Sequence, residues 1–218
     1  MAGPIAHVIF DLDGTLVDSR ADLADSVNHV LTTFGLSPLD PRTIYRYVGD
    51  GARALAERAL GTAHRHLLDR GVEVFLAHYR EHLLDSTALY PGIGNLLAEL
   101  SLAGVSVSVL TNKPEDLSRK ILDGLGVLGS FVDVIGGDTL PVRKPDPEGV
   151  FRLLRQTATP AIRGLIVGDS PVDSATARAS GVPFCGVSWG FNPEGLAAQG
   201  VSIVSTSEAL GNLVLGER

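Results

Sequence analysis

Six short apolar runs alternate with segments of helical periodicity, and this alternation restricts the fold more than any other feature of the sequence. The runs cover residues 6–10, 105–110, 132–135, 164–167, 182–187 and 202–204. Segments between them repeat apolar side chains every three or four residues, as Leu117, Ile121 and Leu122 do between Pro114 and Gly126. Strands that alternate with helices form a parallel sheet covered on both faces. The sequence therefore predicts an α/β fold around a doubly wound parallel sheet.

The segment between the first two runs has helical periodicity and almost no strand signal. Leu23, Val27 and Val30 lie at helical spacing before Gly35, and a second helical pattern spans residues 72–83. This segment is far longer than a crossover between parallel strands requires. We therefore predict a helical insertion at residues 18–84 and a core formed by residues 1–17 and 85–218.

Composition narrows the classes of function. The net charge of −7 disfavours nucleic-acid binding, because neutralising phosphates requires a basic face. No stretch approaches the roughly 18 apolar residues of a membrane span, and the first residues lack the pattern of a secretory signal. Cys185 is the only cysteine, which excludes an internal disulfide. These observations favour a cytoplasmic protein that binds neither membranes nor nucleic acid, with a monomer and a homodimer both left open.

Two aspartates follow the first apolar run directly. Asp11 and Asp13 are separated by one residue, so the period of an extended chain places both carboxylates on one side. Two carboxylates this close resist being ionised together unless a cation lies between them. Mg²⁺, bound by carboxylates and by a substrate phosphate, resolves that conflict. The run therefore predicts a magnesium site at the end of the first strand.

Polar residues also follow the later runs, and one lysine lies in a proline-rich loop between the third and fourth. These residues are Thr111, Asn112, Lys144, Asp169 and Asp173. Ligands of open α/β sheets bind beyond the carboxyl ends of the strands, where such residues meet. A carboxylate can attack phosphorus, a second acid can protonate the leaving alkoxide, and a hydroxyl and a lysine can hold the phosphoryl oxygens. Together they predict phosphoryl-transfer chemistry that depends on Mg²⁺.

Four motifs resemble, in order and spacing, those of the haloacid-dehalogenase-like hydrolases. They are D-L-D-G-T at 11–15, T-N-K at 111–113, R-K-P-D-P at 143–147 and G-D-S-P-V-D at 168–173. The resemblance implies that Asp11 is the nucleophile and Asp13 the general acid and base. It also implies that Thr111 and Lys144 bind the transferring phosphoryl group, with Lys144 orienting Asp11.

The resemblance further implies the metal ligands and the architecture. Mg²⁺ would be held by the Asp11 side chain, the Asp13 backbone carbonyl and Asp169, with Asp173 beside them. The fold would be a Rossmann-like doubly wound parallel sheet with an inserted α-helical cap of the C1 type, which closes over the substrate. The enzyme would be a phosphoric monoester hydrolase.

Differences between this sequence and related enzymes of the family favour hydrolysis of a phosphate ester. Dehalogenases of this family lack the second aspartate, so Asp13 favours phosphate chemistry. Phosphonoacetaldehyde hydrolases and β-phosphoglucomutases use a lysine in the cap, whereas residues 17–85 contain none. The mutases also commonly carry Val where Thr15 stands.

Two further stretches resemble bacterial phosphoglycolate phosphatases, namely Y-V-G-D-G-A-R-A-L-A-E-R-A-L at 47–60 and W-G-F-N at 189–192. By this resemblance the substrate is a small phosphorylated metabolite that carries a carboxylate. Backbone N–H groups at Gly49 and Gly51 would receive that carboxylate, and Arg53 or Arg58 would add positive charge.

Three alternatives remain open at this point. The same core serves other small-metabolite phosphatases, which act on sugar or nucleotide phosphates, and a β-phosphoglucomutase-like phosphomutase. A phospho-receiver signalling module also places Asp, Thr and Lys at the ends of parallel strands. The chain is long for a bare receiver, and the D-x-D-G-T motif and the helical insertion do not fit one.

Overall fold

The computed structural model describes residues 4–216, so residues 1–3 and 217–218 of the predicted core lie outside the described residues. The strands of the described part are β1 (His7–Phe10), β2 (Val17–Asp18), β3 (Ala88–Leu89), β4 (Ser106–Leu110), β5 (Val134–Ile135), β6 (Gly164–Gly168), β7 (Phe184–Val187) and β8 (Ile203–Val204). The α-helices are α1 (Arg20–Thr33), α2 (Pro41–Tyr45), α3 (Ala52–Leu60), α4 (Leu68–Glu81), α5 (Ile93–Leu102), α6 (Glu115–Gly124), α7 (Glu148–Gln156), α8 (Pro171–Ser180), α9 (Pro193–Ala197) and α10 (Ser207–Leu215).

A parallel sheet in the order β5-β4-β1-β6-β7-β8 forms the centre of the core. Strand β1 is fully buried between its neighbours, and its Phe10 lies opposite Val109 and Val167. Alternate residues of β1 enter different clusters, because the period of a strand is two. Val8 and Phe10 join the larger apolar cluster, and Ile9 joins the smaller one beside α7 and α8. The predicted α/β fold with a doubly wound parallel sheet is confirmed.

Each of the six apolar runs overlaps one strand of this sheet, although the runs at 132–135 and 202–204 supply only two strand residues each. Strands β2 and β3 were not predicted, since two residues each are too short to show any periodicity. They pair with each other in antiparallel fashion, Val17 opposite Leu89 and Asp18 opposite Ala88. The chain therefore leaves the core and returns to it along adjacent paths.

The helices α1 to α4, with a short 3₁₀ helix at Thr62–Leu67, form the segment between β2 and β3, which we call the helical insertion. Its interior is apolar and includes Leu23, Val27 and Phe75. Gly71 lets α4 approach its neighbours, because a Cβ there would lie 3.0 Å from Leu60 Cδ1. The predicted boundaries of the insertion at residues 18 and 84 stay a prediction.

A buried carboxylate ties the returning chain to the first turn of α1. Asp22 accepts hydrogen bonds from Thr87 N at 2.9 Å, Thr87 Oγ1 at 2.6 Å and Ser86 N at 3.2 Å. Three donors satisfy a carboxylate that is otherwise removed from water.

Within residues 4–216, no helix has both the length and the apolar character that crossing a membrane requires.

His7 is a buried histidine whose titration should govern part of the acid stability. Its Nδ1 lies 2.8 Å from Thr157 Oγ1 and its Nε2 2.8 Å from Ser108 Oγ, and burial lowers its pKa to about 4. The unfolded chain takes up this proton near pH 6.5. The contribution of His7 to the free energy of unfolding should therefore be complete above that pH. About 3 kcal/mol of it should be lost as the pH falls to about 4.

Urea unfolding between pH 7 and pH 4 measures this loss. We expect His7→Asn, which does not titrate in this range, to reduce the slope of stability against pH. The matched control is His66→Asn, on the exposed part of the helical insertion, which should keep the wild-type slope. Identical slopes for all three proteins would contradict the role given to His7.

Candidate active site

Three neighbouring strands deliver acidic and polar side chains to one edge of the sheet. Asp11 follows β1, Thr111 follows β4 and Asp169 follows β6, and β1 pairs with both of the others. The carboxyl ends of these parallel strands therefore meet, as the sequence predicted. The loop before α7 adds Lys144, and the first turn of α8 adds Asp173.

Lys144 joins two carboxylates at the base of the site. Its Nζ lies 2.8 Å from Asp11 Oδ1 and 2.7 Å from Asp173 Oδ1, and its side chain is only 3% exposed. The other oxygen of Asp173 accepts hydrogen bonds from the backbone N of Ser170 at 3.1 Å and from its Oγ at 2.6 Å, which caps α8. Helix capping thus fixes the carboxylate that holds Lys144, and Lys144 in turn fixes Asp11.

Asp11, Asp169 and Asp173 form a buried acidic cluster. Each offers a carboxylate oxygen, and these oxygens lie within 4.8 Å of one another. Burial, opposed by the Lys144 ammonium, raises the pKa of Asp11 to about 6. Burial and then the Asp173 carboxylate raise the pKa of Asp169 well above its usual range. One ammonium does not balance three carboxylates, and an all-oxygen set of this kind suits a hard divalent cation. The cluster can therefore bind a metal ion.

The W-G-F-N stretch at 189–192 contacts Asp169 and fixes the position of its carboxylate. The Phe191 N–H donates to Asp169 Oδ2 at 2.6 Å, and Trp189 Nε1 donates to the Thr15 carbonyl at 3.1 Å. Glycine is required at 190, because a Cβ there would collide with Asp169 and with the Gly14 carbonyl. The sequence singled out this stretch without indicating what it does, and its contacts show that it orients an acidic residue.

Asp13 is held directly by Lys113 and Ser19 and indirectly by Tyr79, and sequence reasoning assigned none of these three residues to the site. Lys113 Nζ donates to its two oxygens at 2.7 and 2.9 Å, and Ser19 Oγ donates at 2.5 Å. The same ammonium donates to the Tyr79 hydroxyl at 2.6 Å. One signal was available, since Lys113 belongs to the T-N-K motif and is one of only three lysines in the chain. Nothing in the sequence connects Tyr79, far along on α4, to Asp13.

A cavity with a free volume of about 50 Å³ lies between the strand ends and the helical insertion. Its core side is formed by Asp11, Asp13, Thr111, Asn112, Lys113, Pro114, Leu117, Asp169, Ser170, Phe191 and Asn192. Its insertion side is mainly apolar and is formed by Leu23, Val48, Gly49, Gly51, Ala52, Leu55, Phe75, Leu76 and Tyr79. Within residues 4–216, Lys113 is the only lysine or arginine that lines this cavity. The acidic cluster and a small, largely apolar chamber thus face each other.

The loop of the helical insertion at 49–51 reaches the core through Asn112. Asn112 Nδ2 donates to the Gly49 carbonyl and to the Lys144 carbonyl, each at 3.1 Å. Arg58 pairs with Asp50 and donates to the Tyr47 carbonyl at 2.7 Å, which braces the same loop from outside. The predicted residues Gly49, Gly51 and Asn112 therefore lie together at the cavity.

Arg53 is not brought to this site. Its guanidinium pairs with Asp69 at 2.8 Å, its side chain is 58% exposed, and it does not line the cavity. Asp69, in the first turn of α4, draws the arginine along the outer face of the helical insertion. The binding role predicted for Arg53 stays a prediction that this position does not support.

The other predicted site residues do converge. Asp11, Thr111, Lys144, Asp169 and Asp173 meet at one edge of the sheet with Asp13 beside them, which is the arrangement of motifs that the resemblance implied. The sequence profile described as haloacid dehalogenase-like hydrolase matches residues 8–187. The chain belongs to the haloacid dehalogenase-like hydrolases. This membership confirms the prediction of a hydrolase of phosphoric monoesters.

Individual members of the family are similar over nearly the whole chain. A phosphoglycolate phosphatase of Rhodospirillum rubrum is 44% identical over 209 residues, which cover 90% of this chain and 85% of that protein. A phosphoglycolate phosphatase of Chromobacterium violaceum is 38% identical and covers 94% of each chain. A crystal structure from Lactobacillus delbrueckii subsp. bulgaricus superposes with a TM-score of 0.90 at 28% identity, covering 99% of this chain and 100% of its own.

Proposed function

We propose that this protein is a Mg²⁺-dependent phosphoglycolate phosphatase that acts through an aspartyl-phosphate on Asp11. The observation that carries the proposal is the pairing of Lys144 with Asp11, a member of the acidic cluster that lines the cavity between the strand ends and the helical insertion. The relatives from R. rubrum and C. violaceum, which bear this enzyme name, support the choice of substrate.

In the first half-reaction, a carboxylate oxygen of Asp11 forms a bond to phosphorus while the bond from phosphorus to the glycolate oxygen breaks. Asp13, in its protonated form, gives its proton to that oxygen. In the second half-reaction Asp13 takes a proton from water, and the water oxygen attacks phosphorus. Inorganic phosphate then leaves, and Asp11 is regenerated as the carboxylate.

The remaining residues stabilise the negative charge of the phosphoryl group. The Thr111 hydroxyl and the Lys144 ammonium bind the phosphoryl oxygens as charge moves from the nucleophile to the leaving group. Asp11, Asp169 and the Asp13 carbonyl would hold Mg²⁺, with Asp173 beside them, and the bound ion would supply positive charge to the phosphoryl oxygens. The buried carboxylates fit this ion, since one lysine leaves their charge unbalanced.

The helical insertion acts as a cap over this chemistry. Its apolar residues, such as Leu55 and Phe75, exclude bulk water from the phosphoryl group when the cap is closed. The relatives that bear the name phosphoglycolate phosphatase support a substrate of few heavy atoms. We therefore assign the protein a small phosphorylated metabolite as substrate. We also propose that it acts in the cytoplasm.

Release of inorganic phosphate from a panel of esters tests the proposal. The panel holds 2-phosphoglycolate, glucose 6-phosphate, β-glucose 1-phosphate and a nucleoside monophosphate, each with Mg²⁺ and with a chelator. We expect the highest kcat/KM for 2-phosphoglycolate, by about tenfold or more, because one misfitting group costs about that much in discrimination. A higher value for a sugar or nucleotide ester, or full activity with the chelator, would overturn it. Conversion of β-glucose 1-phosphate without phosphate release would indicate a mutase.

Gly51→Ala should impair the choice of substrate more than the chemistry. Gly51 has φ +88, and a Cβ there would lie 3.0 Å from the Asn112 carbonyl, so the loop must shift. A shifted loop misplaces the N–H groups that receive the carboxylate of the substrate. We expect kcat/KM to fall about tenfold further for 2-phosphoglycolate than for p-nitrophenyl phosphate.

The matched control is Gly61→Ala, at the end of α3. Gly61 also has a positive φ, of +66, but no atom lies within 4 Å of its Cβ position. This variant should carry similar backbone strain and leave the ratio of the two substrates unchanged. If Gly51→Ala lost equal activity on both esters, the loop would have no role in specificity.

A further inference from the structure

A chain of polar contacts runs from the helical insertion to Asp13. Tyr79 lies on α4, and its hydroxyl accepts a hydrogen bond from Lys113 Nζ at 2.6 Å. The ammonium also lies 4.5 Å from the centroid of the Tyr79 ring, within the range of a cation–π contact. Lys113, which follows β4 in the core, donates to both carboxylate oxygens of Asp13. These contacts engage all three donors that an ammonium possesses.

Because Tyr79 and Lys113 are buried, their contacts limit where each side chain can lie. Tyr79 is 1% exposed and Lys113 is 7% exposed. A buried ammonium must stay with its acceptors, because leaving them unpaired is costly. The position of Tyr79 therefore limits the position of Lys113, and the position of Lys113 limits that of Asp13.

The remaining contact of Asp13 also depends on the helical insertion. Ser19 Oγ donates to Asp13 Oδ1, and Ser19 is the residue between β2 and α1, where the chain enters the insertion. Every side chain that holds the Asp13 carboxylate in these contacts is thus either attached to the insertion or touched by it.

We propose that Tyr79 and Lys113 are positioning residues, through which the closed helical insertion aligns Asp13 with the leaving group. The inference rests on the proposed function, since it takes Asp13 to be the general acid. As the bond from Asp11 to phosphorus forms and the bond from phosphorus to the alcohol oxygen breaks, the proton of Asp13 passes to that oxygen. Tyr79 and Lys113 neither gain nor lose a proton. They fix the direction of the transfer, which is effective only over a short, aligned path.

A different role for the same ammonium must be separated from this one. Lys113 is the single basic side chain lining the cavity within the described residues, so it could instead bind the carboxylate of the substrate itself. The two roles differ in the esters they affect. Alignment of an acid matters for any alkyl ester, because an alkoxide leaves poorly without a proton. Binding of a carboxylate matters only for an ester that carries one.

The experiment measures kcat/KM of Tyr79→Phe and Lys113→Met on three esters, because kcat/KM reports the steps up to departure of the alcohol. 2-Phosphoglycolate is an alkyl ester with a carboxylate, ethyl phosphate is an alkyl ester without one, and p-nitrophenyl phosphate releases a phenolate that needs no proton. We expect both variants to lose about tenfold or more on the two alkyl esters and clearly less on the aryl ester. Tyr79→Phe removes a single oxygen, so it should fold even if Lys113→Met does not.

Two controls complete the design. Arg80→Met breaks an exposed contact between the helical insertion and the core, where Arg80 Nη2 lies 2.9 Å from Asp116 Oδ2. It should not distinguish the alkyl esters from the aryl ester. Asp13→Asn should show the alkyl-specific loss in full, about 10²-fold or more. If it does not, the proposed function fails.

The remaining outcomes test the positioning role of Tyr79 and Lys113 separately from the proposed function. If Asp13→Asn shows the alkyl-specific loss and Tyr79→Phe does not, Tyr79 has no positioning role. A loss by both variants on 2-phosphoglycolate alone would mean that Lys113 binds the substrate carboxylate. Equal losses on all three esters would mean that Tyr79 serves only the stability of the closed form. Each of these results overturns the inference.

Discussion

Replacing Asp11 with asparagine is expected to abolish hydrolysis and to leave the protein folded. The amide lacks the nucleophilic oxygen that attacks phosphorus, and losses on the order of 10⁴-fold or more are usual when a nucleophile is removed. The fold should survive, because an asparagine oxygen can still accept the 2.7 Å hydrogen bond from Leu12 N. Lys144 also keeps its second partner, Asp173.

Phosphate release and thermal unfolding of the same preparation check this result. The matched control is Asp138→Asn, an exposed residue that accepts a hydrogen bond from Glu115 N at 2.8 Å, and it should retain full activity. Trapping of a phosphorylated protein by rapid acid quench should succeed with the wild type and fail with Asp11→Asn. Near-wild-type turnover by Asp11→Asn would refute the assignment of the nucleophile.

Replacing Lys144 with methionine should lower both activity and stability. The phosphoryl oxygens lose a buried cation, a change typically associated with a loss of about 10²- to 10³-fold in kcat. Asp11 and Asp173 lose the ammonium that lies 2.8 and 2.7 Å from them, and Asp169 stays close by. Removing one partner of a buried ion pair costs about 3–5 kcal/mol of the free energy of unfolding.

Urea unfolding with a chelator and with Mg²⁺ measures the second effect. Because the cation should neutralise the same carboxylates, Mg²⁺ should restore more stability to Lys144→Met than it adds to the wild type, without restoring activity. The control is Lys120→Met, which changes the exposed third lysine of the chain and should leave activity and stability unchanged. If the stability of Lys144→Met matched the wild type in the chelator, Lys144 would not be compensating buried charge.

The parts of the molecule that the sequence predicted are those set by local patterns. Strand β1 was visible because consecutive apolar residues buried on both faces leave a run that needs no partner to be recognised. Asp11 and Asp169 could be placed because the end of a parallel strand fixes where its next residue lies. Strands β2 and β3 could not be predicted, because each has only two residues and their pairing joins residues far apart in the chain.

The parts that were missed depend on contacts between distant side chains. Arg53 carries the right charge for an anion, but Asp69 lies close enough on α4 to pair with it. Tyr79 follows the apolar period of its helix, which marks it as a core residue and conceals that its hydroxyl reaches Lys113. A side chain with both an apolar body and a polar tip satisfies either role, so its sequence position does not distinguish them.

The central position of β1 in the sheet has a consequence for synthesis of the protein. His7 pairs with Ser106 on one side and with Gly164 on the other, so β1 is synthesised before either of its partner strands. Until those strands are made, Val8, Ile9 and Phe10 stand on a strand with two open edges, which is a template for aggregation. The helices α1 to α4 are synthesised before both partner strands. During translation, therefore, the helical insertion can begin to fold before the central sheet is complete.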